Sequence, residues 1–112
     1  KVDHPAPFMT FTFEVAEEWK TRVPEVVHED GTSRAQVLKR EYNPRYYDMM
    51  KELEVLTGNG VSLNTSLNRR GEAMICSPKD ALDMFFGSDL QYLIMEDILV
   101  VKDGVDPYDA VV

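Results

Sequence analysis

Residues 43–63 read NPRYYDMMKELEVLTGNGVSL, a helix pattern followed at once by a short apolar strand pattern. Asn43 can accept hydrogen bonds from the free amides of the first helical turn, and the proline after it is tolerated at the first helical position. Large side chains recur along one face of this helix at Tyr46, Met50, Leu53 and Leu56. Gly58 supplies the helix stop. The stretch therefore predicts a helix over 44–57 and a strand over 61–63.

Helix and strand patterns alternate along the rest of the chain as well. The candidate elements are a strand over 8–15, a helical turn ended by Pro24, a strand over 34–38, a helix over 78–86 and strands over 90–95 and 98–101. The second helix has four apolar residues on its expected buried face: Ala81, Leu82, Phe85 and Phe86. Because strands alternate with helices, we expect a sheet that is at least partly parallel. The predicted fold class is α/β, or α+β in strict usage, with helices packed on a mixed twisted sheet.

The composition is typical of one small soluble domain. The chain has 112 residues, of which 44% are hydrophobic, and no apolar run is long enough to cross a bilayer. Its net charge of -8 argues against nucleic acid or an anionic membrane as the partner. The acidic surplus collects toward the end, where residues 102–112 form an expected solvated acidic tail. The single cysteine, Cys76, fits a reducing cytoplasm and is interpreted as a core residue rather than a nucleophile.

The beginning of the sequence suggests a longer parent protein. The chain starts at Lys1, and a strand pattern begins at Phe8 with no turn or cap before it. We therefore expect a fragment whose sheet is incomplete at its N-terminal side. Such a sheet exposes an edge, with Phe8, Phe11 and Phe13 in the strand nearest to the cut. The expectation is a homo-oligomer, or a chain that needs the rest of its parent to stay soluble.

A polar loop over 64–71 holds the candidate ligand groups. Ser66 and Asn68 are two positions apart in an extended stretch, so a hydroxyl and an amide can point to the same side. Arg69, Arg70 and the Gly71 backbone add donors suited to phosphate oxygens. Ordinary loops also use such residues to satisfy free backbone groups, and the residues alone favour that structural interpretation slightly.

Three further residues are candidates for a site. Arg34 lies between a turn and a strand, where a single arginine can be held in a fixed geometry. Neither His4 nor His28 has a second His or Cys at ligand spacing, so no metal site is predicted. His28 could act as a base beside its acidic neighbours, although a solvated turn histidine is the favoured interpretation.

Four sequence blocks resemble a known enzyme family. In chain order they are HEDGTSRAQ at 28–36, NPRYYDMM at 43–50, LNTSLNRRGEAMICSPKDAL at 63–82 and LIMEDILV at 93–100. This series is similar to the C-terminal part of the O-carbamoyltransferases of the NodU and CmcH type, and it spans most of the chain. Three positions depart from the usual family residue, namely Leu67, Arg69 and Ala73, and none of them removes a ligand group.

The resemblance implies the later part of a YrdC-like domain, here residues 1–112, that follows an N-terminal actin-like domain. In such enzymes ATP and carbamoyl phosphate, with Mg²⁺, form carbamoyl-adenylate, and the carbamoyl group then moves to the hydroxyl of a small molecule. The family's Ser and Asn fall on Ser66 and Asn68, and the arginine of its DGTxR block falls on Arg34. Arg34 and Ser66 are thereby assigned to catalysis, and these two with Asn68 and Arg70 to nucleotide binding.

One family block is missing from this sequence. The family carries an upstream Gly-Pro-Arg-Ala-Leu-Gly stretch with further basic residues, and its absence predicts that the chain alone is catalytically incomplete and holds no cofactor. The alternative is a non-catalytic nucleotide-binding or protein-interaction domain with the same fold. If an anion is shared, Arg34 must lie within reach of Ser66 and Asn68 in the folded protein.

Overall fold

The computed structural model describes residues 6–108, which form two compact units that divide after Asn64. The N-terminal unit, up to Asn64, contains two strands, two α-helices and a short 3₁₀ helix. These elements are β1 (Phe13–Glu14), α1 (Glu17–Lys20), the 3₁₀ helix (Pro24–Val26), β2 (Thr32–Ser33) and α2 (Pro44–Thr57). The C-terminal unit, from Thr65, contains α3 (Pro78–Phe86), β3 (Tyr92–Met95) and β4 (Ile98–Val101).

Helix α2 has the bounds that its capping residues predict. The Asn43 side chain accepts a hydrogen bond from the Tyr46 amide at 3.1 Å, and Gly58 ends the helix in the left-handed region at a φ of 76°. The predicted apolar face is wrong at its last position, because Leu56 is 62% exposed. Local capping chemistry is thus sufficient to define this helix even though none of its residues is fully buried.

A single arginine ties α1 to the end of α2. The guanidinium of Arg22 donates to the carbonyl oxygen of Gly58 at 3.1 Å and to Asn59 Oδ1 at 2.7 Å. The same guanidinium lies 4.2 Å from the centre of the Trp19 ring, within range of a cation–π contact. The predicted helical turn before Pro24 is confirmed, and this contact fixes it against the longer helix.

The strands of the N-terminal unit differ from the prediction. Strand β1 covers only Phe13–Glu14, and it pairs antiparallel with β2 at Thr32–Ser33. Residues 34–38 and 61–63 were predicted as strands but form no strand in the described part of the chain. Helix caps act locally, whereas a strand requires a second chain segment to pair with.

The C-terminal unit is built around Phe85, which is fully buried. Ser77 caps α3 by accepting a hydrogen bond from the Asp80 amide at 3.1 Å, which confirms the predicted start of this helix. The core consists of Ala81, Phe85 and Leu93, with partly buried neighbours from the preceding loop and from both strands. The predicted buried face is wrong at Phe86, which is 65% exposed, while Met84 is buried in its place.

Strands β3 and β4 form an antiparallel hairpin, in which Leu93 pairs with Val100 and Ile94 with Leu99. The turn falls at Glu96, whose φ is 54°, between the predicted strands over 90–95 and 98–101. Both sheets of residues 6–108 have two antiparallel strands, so the predicted mixed, partly parallel sheet is wrong for this part of the chain. The coarser prediction of a small domain of mixed helix and sheet is confirmed.

Two remaining predictions concern the ends of the chain and membranes. His4 and residues 109–112 of the expected acidic tail lie outside the described residues. Within that tail, the Tyr92 hydroxyl donates to the carbonyl oxygen of Asp106 at 2.8 Å. Among residues 6–108, no helix has the length and apolar character that crossing a membrane would require.

Candidate functional site

The polar loop of the C-terminal unit is anchored to the core by two apolar side chains. Leu67 and Ile75 both pack against the Phe85 core, and the Ile75 amide donates to the Leu67 carbonyl oxygen at 3.1 Å. On either side of Leu67, Ser66 is exposed and Asn68 is half-buried, so both polar side chains lie outside this core. The loop therefore presents its polar groups from a base held by the core.

Ser66 and Asn68 are brought together by a hydrogen bond. The Ser66 hydroxyl donates to Asn68 Oδ1 at 2.6 Å. Asn68 Nδ2 in turn donates to the carbonyl oxygens of Arg69 at 3.0 Å and Glu72 at 2.9 Å. Asn68 thus satisfies free backbone groups of the loop, as the structural interpretation expected, while the exposed Ser66 oxygen keeps acceptor capacity toward solvent.

Arg69 has a structural contact. Its guanidinium donates to the carbonyl oxygen of Asp83 at 2.7 Å, near the C-terminal end of α3, and lies 3.9 Å from the carboxylate of Glu72. A cation at this end of a helix also complements the partial negative charge of the last carbonyl groups. Arg69 therefore fastens the loop to α3, a role that the sequence pattern did not distinguish from ligand binding.

Unlike Arg69, the side chains of Arg70 and Arg34 have no partner among the described residues. Both side chains are exposed, and neither makes a hydrogen bond or an ion pair with any of residues 6–108. The neighbouring arginines Arg22 and Arg40 are engaged with protein groups. The two arginines assigned to nucleotide binding are therefore the ones whose guanidinium groups are left for an external anion.

Arg34 is positioned by the turn that precedes it. Asp30 Oδ1 accepts hydrogen bonds from the Thr32 amide at 2.9 Å and the Thr32 hydroxyl at 2.7 Å, and these bonds lower the pKa of the Asp30 carboxyl group. Gly31 adopts a φ of 81°, which L-residues rarely take. The turn leads into β2, which ends one residue before Arg34.

Arg34 lines a cavity of about 560 Å³ within the N-terminal unit. Aromatic walls come from Trp19, Tyr46 and Tyr47, and His28 also faces the cavity. His28 Nδ1 lies 3.1 Å from the Thr32 hydroxyl, which makes it part of the turn. The aromatic members were not predicted as site residues, since their helical spacing is equally typical of packing.

Cys76 is not the core residue that was predicted. It is exposed, and its thiol donates to Asp80 Oδ2 at 3.6 Å beside the N-cap of α3. The Ser77 hydroxyl donates to the same carboxylate oxygen at 2.7 Å, and these hydrogen bonds, led by that of Ser77, lower the pKa of Asp80. Both polar groups therefore support the start of the helix.

The predicted site residues fall in both units. Ser66, Asn68 and Arg70 belong to the C-terminal unit, and Arg34 belongs to the N-terminal unit. The convergence of Arg34 with the other three stays a prediction. Among residues 6–108, no group of three or more His, Cys, Asp or Glu side chains could hold a metal ion.

Comparison with known proteins links the chain to one family. The family described as carbamoyltransferase C-terminus matches residues 1–102. The chain is 32% identical, over 91% of its length, to an uncharacterized protein of Synechocystis sp., of which it covers 20%. It is 34% identical, over 92% of its length, to nodulation protein NolNO of Sinorhizobium fredii, of which it covers 15%. Nodulation protein U of Rhizobium tropici is 39% identical over 60% of the chain, which covers 12% of that protein.

Proposed function

The chain belongs to the carbamoyltransferase C-terminus family, and from this premise we propose that it supplies part of an ATP and carbamoyl phosphate site in a longer carbamoyltransferase. It spans a fifth or less of the relatives named above, so the activity proposed is that of the full-length gene product. The observation that carries the proposal is the pair of uncommitted arginines, Arg34 and Arg70.

The proposed reaction forms carbamoyl-adenylate. Water cleaves carbamoyl phosphate to carbamate and orthophosphate, and a carbamate oxygen then attacks the α-phosphorus of ATP. The bond from that phosphorus to the bridging oxygen breaks, and pyrophosphate leaves with the electron pair. The carbamoyl group subsequently passes to the hydroxyl of a small molecule, and AMP is released. Mg²⁺ accompanies ATP in this scheme and neutralises charge on its phosphate oxygens.

The residues of this chain fit the demands of that step. Negative charge spreads over two phosphate groups in the transition state, so fixed cationic and hydroxyl donors lower the barrier more than a proton transfer would. Arg34 and Arg70 provide guanidinium groups that can bind phosphate oxygens in a bidentate manner. Ser66 provides a hydroxyl whose proton can turn from Asn68 toward a ligand oxygen, while Asn68 holds the loop in place.

The proposed context is a cytoplasmic two-domain enzyme. A YrdC-like domain, to which this chain contributes the later part, carries the adenylation site. An N-terminal actin-like domain of the same polypeptide receives the carbamoyl-adenylate and transfers its carbamoyl group. The order of the family blocks in this chain and its short coverage of the relatives support this arrangement.

The test measures pyrophosphate release by the full-length protein supplied with ATP and carbamoyl phosphate. Replacement of Arg34 or Arg70 by alanine should lower the rate about 100- to 1,000-fold, the usual effect of losing one transition-state donor. Arg40→Ala is the matched control, because its guanidinium already pairs with Asp48 at 2.9 Å and should leave the rate nearly unchanged. Equal rates in all three variants would contradict the assignment.

A second candidate function is a non-catalytic nucleotide-binding domain. Such a domain would use the same exposed arginines, Arg34 and Arg70, to bind phosphate groups without the adenylation step. Calorimetric titration of the full-length protein distinguishes the two: binding of ATP without pyrophosphate release supports the non-catalytic domain.

A further inference from the structure

Two segments that carry strand patterns lie unpaired beside the same cavity. Residues 34–38 and 61–63 belong to no helix or strand of the described chain, and all eight line the 560 Å³ cavity of the N-terminal unit. Helix α2 contributes further lining through Tyr46, Tyr47 and Met50. Two segments with strand patterns in their sequence and one helix thus surround an open groove in which a further strand could pair.

The main chain of these segments has little pairing. Within residues 6–108, residues 61–63 make no main-chain hydrogen bond to another main-chain group, and residues 34–38 make one, from the Val37 amide to the Ala6 carbonyl oxygen at 2.6 Å. Asn64, which directly follows residues 61–63, donates from its side-chain Nδ2 to Oε1 of Gln36 at 3.4 Å, so this contact between the two regions does not involve the main chain. Unpaired strand groups of this kind are a template for a further strand.

The walls of the groove are suited to alternate side chains of an inserted strand. Apolar residues line much of it, among them Met9, Val37, Leu38, Met50, Val61 and Leu63. Leu63 is 67% exposed and Val61 38% exposed. Recognition by strand addition requires free main-chain donors and acceptors, and it requires apolar pockets for the alternate side chains of the added strand. This groove has both.

We propose that this groove is filled by a β-strand from the part of the full-length protein that precedes the family's C-terminal region. The chain covers only 20% and 15% of two relatives and matches the C-terminus family, so most of the polypeptide in such proteins lies outside the matched part. A strand in the same polypeptide has a high effective concentration, which favours it over a second copy of the chain. The proposal rests on family membership and not on the proposed catalysis.

Hydrogen exchange in the full-length gene product, without nucleotide, tests the main-chain pairing. The amides of residues 61–63 should exchange at least about 100-fold more slowly than in an unstructured peptide, because strand pairing protects them. Exchange within about tenfold of the unstructured rate overturns the proposal. Protection that appears only with ATP, or that rises with protein concentration, also overturns it, since it assigns the groove to a ligand or to a second copy.

Thiol labelling provides a matched test of the side chains. Leu63 and Leu56 have nearly equal exposure, 67% and 62%, but Leu56 lies outside the groove. In full-length protein carrying Cys76→Ser, a Leu63→Cys thiol should react at least about tenfold more slowly than a Leu56→Cys thiol, because a paired strand covers it. Equal labelling rates at the two positions contradict an occupied groove.

Discussion

A Cβ atom placed on Gly87 would lie 1.8 Å from Nη2 of Arg69. Gly87 follows the last residue of α3, and its amide donates to the carbonyl oxygen of Asp83, the same oxygen that the Arg69 guanidinium binds. The lack of a side chain at Gly87 therefore leaves the space through which Arg69 reaches the helix end. The glycine is required by this close approach and not by its φ, which is -93°.

Gly87→Ala should displace the Arg69 guanidinium and lower the free energy of unfolding by about 1.5 kcal/mol, the low end of the range for one hydrogen bond to a charged group, because Arg69 is partly exposed. Chemical denaturation measures the change. Gly60→Ala is the control, because its Cβ would meet the nearest atom, Glu54 Cβ, at 3.4 Å, an ordinary contact. Equal destabilisation by both substitutions would show that Arg69 is not the cause.

Asn68→Ala should destabilise the folded chain more than Ser66→Ala. Asn68 is half-buried and donates to the carbonyl oxygens of Arg69 and Glu72. Its removal takes away the side-chain donor of the Glu72 oxygen, while the Arg69 oxygen keeps the hydrogen bond from the Glu72 amide, so the expected cost is about 1–2 kcal/mol. Ser66 is exposed, and its loss should change stability by less than about 0.5 kcal/mol.

Thermal melts of the two variants give the comparison, and pyrophosphate release by the same variants in full-length protein separates stability from ligand contact. If Ser66→Ala leaves both quantities unchanged, Ser66 has no role in the proposed site.

The stability of the C-terminal unit should decrease in acid through Asp80. Its folded pKa lies below the ordinary value of 3.8, because the Ser77 hydroxyl donates to the carboxylate. Above 3.8 the carboxylate is charged in both the folded and unfolded states, and its contribution is complete. As the pH falls below this value the unfolded state binds the proton first, so the contribution is lost through the folded pKa.

Ser77→Ala should reduce this acid sensitivity and also remove the N-cap, at about 1 kcal/mol. Ser77→Thr keeps a hydroxyl at the same position and is the control. Urea denaturation at a series of pH values between neutral and strongly acidic measures both effects. An unchanged acid dependence in Ser77→Ala would contradict the assignment to this hydrogen bond.

The 112-residue chain by itself should form dimers or larger oligomers. Phe8 is 70% exposed, and burying one such side chain at an interface contributes about 1.5–3 kcal/mol. Sedimentation over a dilution series measures the association. A stable monomer at high concentration that melts in one sharp transition would contradict the expectation.

Sequence reasoning succeeded wherever the structural signal was local. Asn43 with Gly58, and Ser77 with the proline after it, define α2 and α3 through bonds within a few residues of the helix ends. The resemblance to the carbamoyltransferases is confirmed at the level of the family, because its four blocks are short patterns that can be read without the fold. The predictions that failed depend on distant contacts: the strands at 34–38 and 61–63, the mixed sheet, the burial of Leu56 and Phe86, and the core position of Cys76.

The residues of a strand pattern indicate that a segment can pair, but they do not supply its partner. Arg69 and Arg70 are neighbouring residues of the same type, yet the sequence does not show that their roles differ. Arg69 reaches the end of α3 because Gly87 leaves room there, whereas Arg70 meets no partner among residues 6–108. Caps and motifs depend on bonds between near neighbours, so they can be read from the chain; pairing and the use of each arginine depend on contacts between distant residues, which only folding creates.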